Sequence, residues 1–313
     1  MTAPADAHDH DRDDLPPPVT EEVSEGVFAY VQLDGSWGLN NCGFLVGAPG
    51  VTAIDTCFTE KRTKGFLGAV AEVTDRPLRT LVNTHHHGDH THGNYLVPAA
   101  TIIGHRRCRE EVIDAGHLAM AFFEGVDWGE LEIAPPFVTF ESELDVWVDD
   151  LRVQLEHVGP AHTTNDVVCW LPERRVLYTG DLVFNGGTPF VVMGSVSGAL
   201  AALDRLRALG AALLVPGHGP VCGPDLLDAQ TDYLEWVQVL AQAGFDDDRP
   251  PLEVARAADL GRFAEWHDPE RLVGNIHRAY SELRGEPPGS PITAAAFADM
   301  VEYNHGRPLR CLA

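Results

Sequence analysis

Asn83-Thr84-His85-His86-His87-Gly88-Asp89-His90-Thr91-His92 is the stretch on which the reading of this chain turns. Ahead of it, Leu78 to Val82 form a short apolar run that predicts a buried strand. Within it sits the pattern His-x-His-x-Asp-His, made by His85, His87, Asp89 and His90. In extended backbone the side chains at i and i+2 leave on the same side, so His85 and His87 can grip one ion. A turn after them aims Asp89 and His90 at a second ion beside the first. Imidazole and carboxylate with no thiolate nearby suit zinc and tolerate iron or manganese. A tag-like surface histidine run would not interleave Asp and Gly directly behind a buried strand.

Two ions need more ligands than this cluster supplies, and three later places offer them. Gly159-Pro160-Ala161-His162-Thr163 follows one predicted strand, Tyr178-Thr179-Gly180-Asp181 follows another, and Pro216-Gly217-His218-Gly219 follows a third. Each sets a ligand type beside a glycine that lets backbone come close to an ion. Strand ends converging on one sheet edge are where open α/β folds place their sites.

Outward from these motifs the chain reads as two similar halves. In the first, strands are expected at 26–33, 43–46, 51–55, 78–82 and 101–104, with helices at 59–73 and 105–120. In the second, strands are expected at 144–148, 151–157, 166–171, 175–178 and 212–215, with helices at 196–209 and 225–243. Two runs of strands each followed by helices predict an α/β protein built as a four-layer αββα sandwich, with helices outside and two sheets inside. Residues 1–20, polar, acidic and ending near Pro16-Pro17-Pro18, are expected to be a disordered tail. Residues 21–245 then form the catalytic domain. After the break Phe245 to Pro251, residues 246–313 are expected to be a helical region packed on the core as a lid or a dimer contact.

Composition narrows the partners. A net charge of −25, from 22 Lys plus Arg against 47 Asp plus Glu, repels phosphate backbones and excludes nucleic acid as the expected substrate. Six scattered cysteines with no Cys-x-x-Cys pair predict neither a thiolate zinc site nor a disulfide framework. Reduced thiols, no basic-then-apolar start and no membrane-length apolar run predict a cytoplasmic location with no membrane contact.

The metal pattern resembles that of the metallo-β-lactamase superfamily of hydrolases over roughly Glu21 to Ala243. That resemblance implies that His85, His87 and His162 hold one ion and Asp89, His90 and His218 the other, with Asp181 bridging. It also implies a supporting role for Asp55, which follows the strand Val51 to Ile54, behind the ligands. Further segments are similar to the aromatic polyketide second-ring cyclase/thioesterases of type II pathways. They are Val126-Asp127-Trp128-Gly129-Glu130, Thr188-Pro189-Phe190, Gly194-Ser195-Val196 and the end Cys311-Leu312-Ala313.

The resemblance implies two zinc ions, iron or manganese being alternatives, and ring closure or thioester hydrolysis on an aromatic polyketide, free or carried by an acyl carrier protein. Asp89 would also be catalytic, orienting the nucleophile or taking its proton. A generic hydrolase of small thioesters or lactones, glyoxalase II-like, is the alternative. Phe122, Phe123, Trp128, Phe184, Phe190 and Met193 are candidate pocket residues for a flat ring system. Arg106, Arg107 and Arg109 are a candidate docking patch for an acidic carrier. A homodimer is allowed by this reading.

Overall fold

The computed structural model describes residues 15–313. Residues 1–14, most of the expected acidic tail, lie outside the described residues.

A seven-stranded sheet takes its strands in chain order: β1 (Val19–Ser24), β2 (Val27–Val31), β3 (Cys42–Gly47), β4 (Gly50–Ile54), β5 (Leu78–Val82), β6 (Thr101–His105) and β7 (Val138–Phe140). Its first four strands pair antiparallel, joined by short connections, and its last four pair parallel through crossovers. A five-stranded sheet is ordered β12 (Leu213–His218), β11 (Val176–Phe184), β10 (Val167–Leu171), β9 (Leu151–His157) and β8 (Glu143–Val148). Only the β11–β12 pair in it is parallel.

The inner faces of the two sheets share one apolar cluster, in which Leu45, Ile54 and Val82 of the first meet Val153, Leu155 and Cys169 of the second. Outside the first sheet, α1 (Glu60–Val73) lays Phe66 and Val70, one turn apart, against Phe44 and Leu81. Its first turn is capped by Thr59, whose hydroxyl accepts from Arg62 N (3.3 Å). α3 (Arg106–Ala115) follows β6 directly. Outside the second sheet, α4 (Val196–Leu209) and α5 (Leu226–Asp246) pack Leu203, Leu206, Leu234 and Val237 in one cluster with Val168, Trp170 and Leu177. The four-layer αββα sandwich expected from the sequence is the architecture observed. After it come α6 (Pro251–Ala257), α7 (Arg271–Leu283) and α8 (Thr293–Tyr303), whose Val254, Leu272, Ile276 and Met300 lie in that same cluster.

Boundaries shift where side chains outside the local pattern intervene. β1 begins at Val19, inside the stretch expected to be tail, because its backbone pairs with β2. The helix expected over 105–120 ends at Ala115, where Gly116 takes φ +53°, and a 3₁₀ turn, Leu118–Ala121, follows. α5 runs on to Asp246 through the expected break, its Phe245 ring set edge-on to Tyr280 (5.3 Å). β11 continues past Tyr178 to Phe184 because β12 lies alongside it. No helix among the described residues is long and apolar enough to cross a membrane.

Candidate metal centre

β5 ends at Val82, and five residues later the chain turns into α2 (Gly88–Thr91), a single helical turn. The expected change from extended chain to turn is present, so His85 and His87 precede the helix while Asp89 and His90 ride in it. His162 comes from the β9–β10 loop. Asp166 folds that loop by accepting from Ala161 N (3.0 Å), Thr163 N (3.0 Å) and the Thr163 hydroxyl (2.6 Å). Asp181 lies within β11 and His218 closes β12. The parallel register is irregular between Tyr178 and Phe184, and Phe184 pairs with His218.

All seven sequence-predicted residues meet in one place. Ligand atoms of His85, His87, His162 and Asp181 lie within 4.8 Å of one another, and so do those of Asp89, His90, Asp181 and His218. Asp181 belongs to both groups. Its Oδ2 is 3.4 Å from His162 Nε2 and 3.3 Å from His218 Nε2, and its Oδ1 is 3.0 Å from His90 Nε2. Yet His85 Nε2, His90 Nε2 and Asp181 Oδ1 are buried with no hydrogen-bond partner. His162 Nε2 sits only 2.8 Å from His87 Nδ1. Imidazole nitrogens and carboxylate oxygens converging on one point, several of them orphaned, are what a cation-binding donor set presents, and buried polar atoms are rarely left orphaned otherwise.

The far nitrogens agree with this. His90 Nδ1–H donates to Asp55 Oδ2 (2.9 Å), and His218 Nδ1–H donates to the Gly35 carbonyl (3.0 Å). His162 Nδ1–H donates to the Phe190 carbonyl. The Thr84 hydroxyl donates to Asp55 Oδ2 (2.7 Å) and so accepts from His85 Nδ1–H (3.1 Å). His87 Nε2–H points at Met193 Sδ (3.1 Å). Each acceptor takes the proton of the outer nitrogen, so the inner one is the nitrogen turned toward a bound ion. Asp55 lies behind the cluster, bonded to His90 Nδ1 and held by Thr84 N (2.8 Å). The residues fit a pair of divalent ions.

Charge inside the cluster is balanced by its own members. Burial, with His90 nearby, pushes the His85 imidazole well below its usual range, and burial with His162 does the same to His87. Burial also opposes charge on His218, but Asp181 and Asp89 overcome it and raise the imidazole to about 9. Against the cost of burial, His90 and His218 hold Asp89 and Asp181 below the ordinary carboxylate range.

An open cavity, about 950 Å³ with the solvent space at its mouth included, has His87, Asp89, His162, Asp181 and His218 at its base. Phe122, Phe123, Phe184, Phe190 and Met193 line it as expected. Trp128 stands behind the wall, edge-on to Phe58 (4.7 Å). Trp37, Phe58 and Phe297 also line it and went unnoticed in the sequence, since single aromatics far apart carry no pattern. His86 and His92 face away from the cluster but are buried in the cavity wall, their Nδ1 atoms against Asn165 Nδ2 (3.0 Å) and the Phe58 carbonyl (3.2 Å). The basic patch is largely engaged: Arg106 pairs with Glu110 and Glu141, and Arg109 donates to the Pro136 carbonyl (2.7 Å).

Sandwich and cluster together define a fold whose site is suited to two metal ions. The family model described as "Metallo-beta-lactamase superfamily" matches residues 35–218, more than half of the sequence, and the chain belongs to that superfamily. It is 25% identical over 246 residues to the 2,4-dinitroanisole O-demethylase subunit alpha of Nocardioides sp. (strain JS1661), covering 77% of this chain and 66% of that protein. It is 32% identical over 150 residues to the hydroxyacylglutathione hydrolase of Rhodospirillum rubrum, covering 47% of this chain and 50% of that one. The chain thus spans about half to two thirds of these relatives' lengths. Among solved structures, a metallo-beta-lactamase from Pontibacter korlensis superposes with a TM-score of 0.59 at 20% identity, covering 70% of this chain and 99% of that one.

Proposed function

We propose that this chain is a dinuclear, zinc-dependent cyclase/thioesterase acting on an aromatic polyketide thioester. His85 Nε2, His87 Nδ1 and His162 Nε2 would hold one ion, Asp89, His90 and His218 the other, and Asp181 both. When bound, two divalent ions would supply the Lewis acidity that makes water nucleophilic at neutral pH and polarises a carbonyl or its enolate. Asp89 keeps 15% of its side chain exposed and stays ionised, so it is placed to orient a nucleophile and take its proton. The aromatic walls exclude water and stack a flat substrate with its reacting carbonyl toward the cluster.

One observation carries the choice of substrate. The cavity walls are aromatic, and Arg271 is the one Lys or Arg among the described lining residues. That guanidinium is already paired with Asp268 (2.8 Å) and the Thr188 carbonyl (3.0 Å). A glutathione thioester, with two carboxylates to satisfy, finds no free cation there, whereas a flat apolar ring system finds area. The relative named for demethylating 2,4-dinitroanisole supports an aromatic occupant. The hydroxyacylglutathione hydrolase relatives support the alternative of a glyoxalase II-like thioesterase. With Arg106 and Arg109 engaged, little free charge remains to dock an acidic carrier, which favours a released or small-molecule thioester. The six cysteines, five of them buried, are thiols and favour a reducing, cytoplasmic setting.

The test is a comparison of kcat/KM for a naphthoyl thioester of N-acetylcysteamine and for S-lactoylglutathione, each with and without chelator. The aryl thioester is expected to be preferred by about tenfold or more, the scale that one filled apolar pocket supplies. Preference for the glutathione thioester would replace this reading with the alternative, and turnover untouched by chelation would remove both.

A further inference from the structure

The segment Thr188 to Met193 reaches two of the histidines directly. The Phe190 carbonyl accepts from His162 Nδ1–H, and Met193 Sδ lies 3.1 Å from His87 Nε2. Both histidines belong to the group completed by His85 and Asp181. For the other group, His90 rests on Asp55 and His218 on the Gly35 carbonyl, neither of which belongs to this segment.

This segment is not a strand, so its backbone groups need partners from elsewhere. Buried side chains of α7 provide them. Arg271 Nη1 donates to the Thr188 carbonyl (3.0 Å). The Asn275 carboxamide donates to the Pro189 carbonyl (2.7 Å) and accepts from Val191 N (3.0 Å), making on either side of Phe190 the two bonds a neighbouring strand would make. Arg278 Nε donates to the Val192 carbonyl (2.8 Å). Asn275 is itself fixed by the Tyr233 hydroxyl (3.0 Å) and is fully buried, as are Arg271 and Arg278. With its neighbours on both sides occupied, the Phe190 carbonyl is left to face His162.

We propose that α7 is a positioning element of the metal centre, and that Asn275 is the residue that sets it. It holds the Phe190 carbonyl and Met193 where they orient His162 and His87, and so governs one ion of the pair and not the other. The inference rests on the two-ion reading of the cluster. A backbone carbonyl behind a metal-bound imidazole fixes ring orientation and basicity, and losing such a partner costs about 10–100-fold in affinity.

The experiment is a stepwise cobalt(II) titration of chelator-stripped full-length protein, followed by absorption and calorimetry, for the parent, Asn275→Leu and Asn275→Asp. Leu155→Ala, in the core between the sheets, controls for general loosening. The parent is expected to take two ions. Asn275→Leu is expected to weaken one step by about tenfold or more, with a changed visible spectrum for that ion, and to leave the other step within twofold. Asn275→Asp, which keeps the volume and the acceptor for Val191 but not the donor to Pro189, is expected to show the same split to a lesser degree and serves if the Leu variant does not fold. Two unchanged steps, or two steps weakened in parallel as in Leu155→Ala, would overturn the positioning role. A parent that takes no cobalt would instead overturn the two-ion reading.

Discussion

A single methyl on Gly217 would lie 1.9 Å from Asp181 Oδ1. No side-chain rotation can relieve this, because the far side of that carboxylate is occupied by His90, His162 and His218. The glycine is therefore set by the approach of backbone to the Asp181 carboxylate, not by chain flexibility. Gly217→Ala is expected to displace Asp181, cost about 1–3 kcal/mol of overpacking and lower bound metal below two per chain. Metal analysis beside a denaturation curve checks it, and two full equivalents in a stable variant would mean that Asp181 does not bridge. A histidine or carboxylate beside glycine after a strand can be seen in the sequence. The Gly35 and Phe190 carbonyls that hold His218 and His162 cannot be, because a main-chain acceptor has no residue type.

The elements that carry the site are fastened at their ends. α4 begins just behind the segment that reaches His87 and His162. Its cap, Ser195, accepts from Gly198 N (2.9 Å), and Glu282 of α7 accepts from Val196 N and Ser197 N (3.2 Å to the latter). Two caps share the orphan donors of that first turn, one from the local sequence and one from 80-odd residues later. Ser195→Ala is expected to cost about 1 kcal/mol, because Glu282 still covers part of the turn. In a chain of this size that is a fall of about 2 °C in Tm, and a loss several times larger would show that Glu282 contributes nothing. At this scale helices were legible where apolar spacing was regular, as over α1 and α4. The sequence reading missed β7, three residues too few to show a period, and it overran α3, where Gly116 turns the chain left-handed.

For the molecule as a whole, the metal-free site and the folded chain share their protons. His218 titrates at about 9 in the folded protein against about 6.5 for an ordinary imidazole. The raised value means that its proton stabilises the metal-free fold fully below about pH 6.5, and that this contribution disappears as pH rises through about 9. An ion at His218 must displace that proton, so metal gains on the metal-free state across the same window. Asp89 and Asp181, held down by the histidines, stay ionised throughout it. The difference in Tm between zinc-loaded and chelated protein is accordingly expected to widen from pH 6.5 to pH 8.5. A constant or narrowing difference would mean that His218 is not a ligand.

Most strands and helices, the sandwich they build and the seven ligand candidates could be read from the sequence alone. Those features depend on periodicity and on motifs spanning a few residues, which neighbours along the chain encode. Tertiary structure alone decided what surrounds the cluster. Trp37, Phe297 and Arg271, from opposite ends of the chain, meet at one cavity, and Asn275 of α7 completes the backbone bonding of a segment more than eighty residues earlier. Such contacts arise from packing between distant elements, where a hydrogen bond or a shared wall has no local period to announce it.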